Sequence, residues 1–292
     1  MKQVFLVILL AFGFVAGAQN VTVRKPKKQK PATTQVAPKK HKSQSKPTKG
    51  ETVKRVATKA SYSNGTLTVN GIKYSMVWVD GGTFRMGATS EQGSDAYSDE
   101  NPVHSVTLSG YYIGKTEVTQ ALWKAVMGSN PSRFKGDNLP VEWVSWNDCQ
   151  EFIRKLNSLT GQNFRLPTEA EWEFACRGGN NSRGYKYSGS NYIDNVAWYW
   201  DNSGEKTHPV ATKLPNELGI YDMCGNVWEW CSDWYGDYSS GAQTNPKGPY
   251  DGSIRVFRGG SWYYIAWNCR SSRRGNGSLG FRYNYLGLRL SL

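Results

Sequence analysis

The sequence has 292 residues, with 36 Lys and Arg against 23 Asp and Glu and a formal charge of +13. Of these, 14 basic residues and one acid precede residue 61, so the rest of the chain carries 22 of each. A neutral body excludes the basic folded surface of a nucleic-acid-binding domain, and the 12 Trp, all beyond residue 60, exclude a wholly disordered chain.

At the N-terminus Lys2 precedes an apolar run from Val4 to Val15, then Ala16-Gly17-Ala18. This predicts a secretory signal peptide over 1–18, because the run is too short to anchor in a bilayer. The implied location is exported: periplasmic, cell-surface-associated or secreted. No Cys follows the run and no other stretch approaches 18 apolar residues, so neither a lipid anchor there nor a transmembrane span in the mature chain is expected. Residues 19–60 are Lys, Pro, Thr, Gln and Ser with few large apolar side chains. Such a segment cannot offset its ordering entropy and reads as a disordered basic linker. It serves as a solvated spacer or as a tether to an anionic polymer.

A single domain is expected over 61–292, with order beginning near Thr66. From Thr66 to Val79 apolar and polar residues alternate around Asn70-Gly71, a hairpin signal. A helix is expected over Gln120 to Val126, and another from the Ser145 cap to about Leu159. Thr168 and Glu171 form a capping box for a third helix, ending at Gly178-Gly179. Beyond Gly179 the chain is rich in Gly, Asn, Ser, Trp and Tyr, which predicts short strands and long loops around aromatic anchors.

Six stretches carry a resemblance. They are MVWVDGGTFRMG (76–87), NPVHSVTLSGYYIGKTEVTQALW (101–123), LPVEWVSWNDC (139–149), RLPTEAEWEFACRGG (165–179), GIYDMCGNVWEWCSDWY (219–235), and RGGSW (258–262) with LGLRL (286–290). Together they resemble the formylglycine-generating enzyme, or sulfatase-modifying factor, family over about residues 76–292. The resemblance implies an α+β, C-type-lectin-like single domain with low regular secondary structure. Read by themselves, Glu171, Trp172 and the GNVWEW run suit polar and aromatic core positions that tie loops together.

Asp222 and Glu229 are hard oxygen donors flanking Gly225 and Val227, whose carbonyls a tight turn could direct inward. That donor mix suits Ca²⁺ rather than zinc. By resemblance, Asp222, Gly225, Val227 and Glu229 match the family's better-defined calcium site. Asn195, Val196, Asn202 and Gly204 match a second one across gaps. In both places the ion would be structural. The three His (His41, His104 and His208) include no helical i,i+4 pair, which gives zinc or iron little support.

Five Cys occur, at 149, 176, 224, 231 and 269. An exported chain permits disulfides, and an odd count leaves one thiol over. In the catalytic family two cysteines five positions apart follow the GGS motif and bind copper(I), which soft thiolates suit. Here the earlier of those positions is Tyr264. Cys269 matches instead a downstream structural Cys whose partner aligns with Cys176, so the resemblance implies a Cys176–Cys269 disulfide. Both copper ligands are then missing, and copper is not expected.

From Tyr263 to Tyr285 the chain holds four Tyr, three Asn, three Ser, three Gly, four Arg and one Trp, without Lys, Asp or Glu. This composition suits a contact surface, where Tyr and Trp give rigid area and small polar residues adapt. It also resembles the variable proteins of diversity-generating retroelements, which use the same lectin-like fold. The expected ligand-binding residues are Tyr263, Tyr264, Trp267, Asn268, Arg274, Asn276, Tyr283, Asn284 and Tyr285, facing a surface protein or glycan. The alternative is a formylglycine-generating oxidase acting on a Cys or Ser of an exported sulfatase, with Cys269 as its surviving thiol.

Overall fold

The computed structural model describes residues 58–292; the expected signal peptide and nearly all of the basic linker lie outside them. Among the described residues no helix is long and apolar enough to cross a membrane.

Two hairpins open the domain. Strand β1 (Ala60–Ser63) turns at Asn64-Gly65 into β2 (Thr66–Val69), which turns at Asn70-Gly71 into β3 (Ile72–Val79). The turn residues have φ of 47° and 70° in the first hairpin and 49° and 85° in the second, the left-handed geometry Asn-Gly tolerates. Among the described residues the first strand thus begins at Ala60, ahead of Thr66, and the first Asn-Gly pair carried the same signal as the second.

Strands β4 (Gly82–Met86), β5 (His104–Leu108) and β6 (Tyr111–Gly114) follow, then α1 (Gln120–Met127), α2 (Trp146–Thr160), α3 (Glu169–Cys176) and α4 (Ile193–Val196). Thr119 caps α1, Ser145 and Asp148 form a capping box on α2, and Thr168 and Glu171 form the expected one on α3. Helix α3 stops at Cys176, before the Gly pair. The remaining strands are β7 (Ala197–Trp198), β8 (Cys224–Gly225), β9 (Trp228–Trp234), β10 (Gln243–Thr244), β11 (Ile254–Arg258), β12 (Arg274–Ser278) and β13 (Leu286–Leu288).

The first sheet runs β1-β2-β3-β6, a second β10-β5-β4, and a third β12-β11-β9-β13, in which β13 lies parallel to β9. Past β13 the chain continues along β6: Gly114 N donates to Leu290 O at 2.8 Å, and Tyr112 and Leu292 exchange two backbone bonds. The last seven residues thus join the first sheet to the third. Between them, α1 and α2 pack Leu122, Trp123, Phe152 and Leu156 against Leu67, Trp228, Trp230 and Leu288, with Trp123 stacked on Phe152 at 4.8 Å. A second core gathers Trp172 and Phe174 of α3 with Val79, Val106, Tyr111 and Val256.

Candidate functional site

Helix α3 organises the polar core. Positions four apart on a helix share a face, and Glu169 and Glu173 both point inward. Arg258, at the end of β11, donates to Glu169 at 2.7 Å and to Glu173 at 2.6 Å; Arg274, at the start of β12, grips Glu169 through Nε and Nη2. The two guanidinium groups hold the Glu169 carboxyl down at about 2 despite full burial. Arg270 makes a second buried fork onto Glu100, at 2.6 and 2.7 Å. This corrects the reading of the C-terminal arginines. Arg270 and Arg274 are at most 2% exposed, so Arg274 cannot meet a ligand and instead fixes the segment from below.

The GNVWEW run ties loops together, as its residue types suggested. Asn226 takes up a φ of 56°, accepts from His208 N, and donates to Glu117. Glu229 accepts from Trp172 Nε1 at 2.7 Å and from Arg289 Nε and Nη2. Both Glu229 oxygens are therefore engaged, and Asp222 spends Oδ2 on Ala211 N. In the second expected calcium set, Asn202 Oδ1 accepts from Tyr199 N and the Asn195 carbonyl from Leu214 N. Among the described residues no three His, Cys, Asp or Glu side chains converge on a metal position. The arrangement gives the calcium expectation no support at Glu229, whose oxygens Trp172 and Arg289 already occupy. Burial pushes the Asp222 carboxyl up to about 6 and Glu117 well above the carboxylate range, so a proton relieves the charge at Glu117 near neutral pH.

All five cysteines are buried thiols, and the implied Cys176–Cys269 disulfide is not formed. Cys176 instead shares a hydrogen bond with Cys224, and Cys269 stands near Cys224. Burial pushes the Cys269 thiol up to about 12. A fully buried thiol at that value is a poor thiolate, and its expected partner position holds the half-buried ring of Tyr264, packed edge-on to Tyr285 at 5.3 Å. These two positions lack the chemistry of a copper dithiol.

The expected ligand residues divide by burial. Tyr263, Trp267, Asn276 and Tyr283 are exposed, Tyr264 and Asn268 half-buried, and Asn284 and Tyr285 buried beside Arg274 in that class. Asn284 serves the scaffold: its carbonyl accepts from Trp262 Nε1 at 2.9 Å. Tyr285 nonetheless belongs to the surface cluster, as one of five rings in series. Trp143 stacks on Tyr283 at 5.8 Å, Tyr283 lies 4.3 Å from Tyr285, Tyr285 stacks on Tyr263 at 5.8 Å, and Trp200 meets Tyr263 edge-on at 5.6 Å. Tyr97 packs against Trp267 at 6.1 Å, with the Arg273 guanidinium over the Tyr97 ring at 4.0 Å. Tyr97, Trp143 and Trp200 were missed from sequence. Nothing local tied them to residues 263–285, since Trp143 and Trp200 lie among other aromatic and apolar residues in VEWVSW and AWYWD. Of the eleven exposed large apolar side chains among the described residues, seven belong to the segment or pair with it, so apolar exposure is concentrated there.

Comparison with known proteins places this geometry. The profile of the sulfatase-modifying factor enzyme 1-like domain matches residues 67–292. The chain belongs to the sulfatase-modifying factor family. A formylglycine-generating enzyme of Streptomyces coelicolor is 32% identical over 70% of this chain and 87% of its own length. A protein of Paenibacillus barcinonensis named chaperone protein LppX is 38% identical over 70% and 82%. Among solved structures, Treponema denticola variable protein 1 superposes with a TM-score of 0.70 at 38% identity, covering 77% of this chain and 97% of that one. PvdO from Pseudomonas aeruginosa follows at 0.62 and 26%, covering 74% and 93%. Sulfatase-modifying factor relatives thus include proteins named as enzymes and one named as a variable protein, and the α+β fold expected from the six stretches is the fold observed.

Proposed function

We propose that this chain is an exported binding module that holds a surface protein or glycan on the face around residues 263–285, and that it is not a formylglycine-generating oxidase. The observation that carries the reading is the pairing of exposed rings: Trp143 with Tyr283, Trp200 with Tyr263, and Tyr97 with Trp267. Rings left 41–47% exposed yet held against one another form a rigid apolar surface that gains by desolvation against a partner. The framework beneath is separate. Arg258, Arg270 and Arg274 anchor the segment to carboxylates through buried forks, so the outer residues can change without disturbing the core. Likeness to a protein named as variable supports this division. Burial of Cys269 and the ring of Tyr264 weigh against the oxidase.

The test replaces Tyr263, Trp267 and Tyr283 together by Ala in the full chain. Binding to immobilised cell envelopes should fall a hundredfold or more, since buried aromatic anchors contribute about 2 kcal/mol or more each. Melting should shift by only a few degrees. In parallel, copper-loaded wild-type protein should consume no oxygen with a Cys-containing sulfatase peptide. Collapse of the triple variant, or sustained copper-dependent turnover, would refute the reading.

A further inference from the structure

We infer that the cleft beside Trp143 is a subsite for one ring of a neutral saccharide, adjoining the C-terminal face; the inference names the ligand class of that face and rests on its being a binding surface. The argument starts from strain. Trp143 adopts a φ of 65°, a left-handed conformation that a bulky residue occupies at a conformational cost. The surroundings enforce it: Trp143 N donates to Tyr283 O at 3.0 Å, Glu142 N to Ser132 Oγ at 3.1 Å, and the buried Glu142 carboxylate accepts from Phe134 N at 2.8 Å. The indole stacks on Tyr283 at 5.8 Å yet remains 41% exposed, so much of its face stays open to solvent. Gly or Asn would sit at this turn with less strain, so a tryptophan here points to a use outside the fold.

The cleft it borders measures about 360 Å³, within the range of small-ligand sites. Trp123, Met127, Pro131 and Trp143 form its apolar wall, and Asp148 and Arg282 its polar one. Arg282 holds Asp148 through Nε at 2.6 Å and Nη2 at 2.9 Å, leaving Nη1 without a partner among the described residues. Ser145 N and Oγ also occupy Asp148 Oδ2, so the pair offers one donor, Nη1, and one acceptor, Asp148 Oδ1, side by side with no net charge. A sugar hydroxyl both donates and accepts, and the C–H face of its ring packs on indole, so a pyranose satisfies both walls at once. A charged ligand gains nothing from a neutralised pair. A peptide added as a β-strand would need an open strand edge, and none of the lining residues lies in a strand. Tyr283, stacked on Trp143, carries the site onto the ring series of the face.

The test titrates the full chain calorimetrically with neutral hexasaccharides of cellulose, xylan, mannan and chitin type. At least one should bind, and Trp143→Gly should weaken it tenfold or more while the melting temperature stays or rises, because Gly relieves the left-handed strain. Tyr250→Ala, which removes a fully exposed ring in no ring contact among the described residues, should leave binding unchanged. No binding by any of the four probes would overturn the inference. So would a fall of several degrees in the melting temperature of Trp143→Gly, which would make the indole structural. If the triple face variant loses envelope binding while Trp143→Gly keeps it, the face stands and the subsite falls; the converse pattern spares the subsite and removes the face.

Discussion

Asp233 shows how a single buried carboxyl sets a pH response. It is 3% exposed, and its Oδ2 accepts from Glu169 N at 3.0 Å and from Ser232 Oγ at 2.8 Å. Burial, and then the Glu169 charge, push it up to about 7. Burial likewise pushes Glu142 up to about 7. The folded state therefore binds protons more tightly than the unfolded chain, and stability falls as pH rises from about 4 to about 7, with the penalty constant above that. Glu169 acts in the opposite sense: its contribution is complete above the ordinary glutamate range and is lost only as pH drops toward about 2. The stability maximum should accordingly lie near pH 4–5. Asp233→Asn keeps an acceptor for both bonds and should raise stability at pH 8, by at most about 4 kcal/mol, with no effect at pH 4. Thermal melts at the two pH values decide this, and equal shifts at both would contradict the account.

Among the elements, the RGGSW turn between β11 and the displayed segment is the most tightly specified. Gly260 has a φ of 74°, and a Cβ there would meet Cys269 Sγ at 2.6 Å and Asn268 O at 2.8 Å. Gly260→Ala should therefore cost about 3 kcal/mol or more through strain and overlap, lowering the melting temperature by roughly 6–12 °C. A melt within 2 °C of wild type would show that the turn relaxes. Elements of this local kind were legible in the sequence. The Asn70-Gly71 hairpin, the Ser145 cap and the Thr168–Glu171 box each bind residues within a few positions of one another. The polar core was not, because Arg258 and Arg274 reach Glu169 from 89 and 105 positions away. Composition alone gives an arginine in a tyrosine-rich segment no mark of whether it faces solvent or a buried glutamate. Half of the aromatic face was hidden for the same reason: Trp143, Trp200 and Tyr97 meet Tyr283, Tyr263 and Trp267 only through the fold.

Over the described domain, buried carboxylates are met by arginines: Glu169 by Arg258 and Arg274, Glu100 by Arg270, and Glu229 by Arg289. Burial keeps Glu117 well above the carboxylate range, whereas Asp222, pushed up to about 6, is ionised at pH 7.5. Because Trp172 and Arg289 already occupy both Glu229 oxygens, excess chelator should leave the melting temperature at pH 7.5 where it is. A fall of several degrees, abolished in Asp222→Ala, would establish a calcium ion at that turn after all. The join made by residues 286–292 has a kinetic consequence. Tyr112 pairs with Leu292 across most of the domain's length, and β13 pairs with β9 from the far side of the displayed segment. Closing so large a loop is slow, and contacts of this range place a fold among the millisecond-to-second class. Until that stretch docks, β6 and β9 each keep an open edge, the kind of surface on which partly folded chains associate. Residues 263–285 lie between β11 and β13, so their rings reach their final arrangement only when the closing strand is in place.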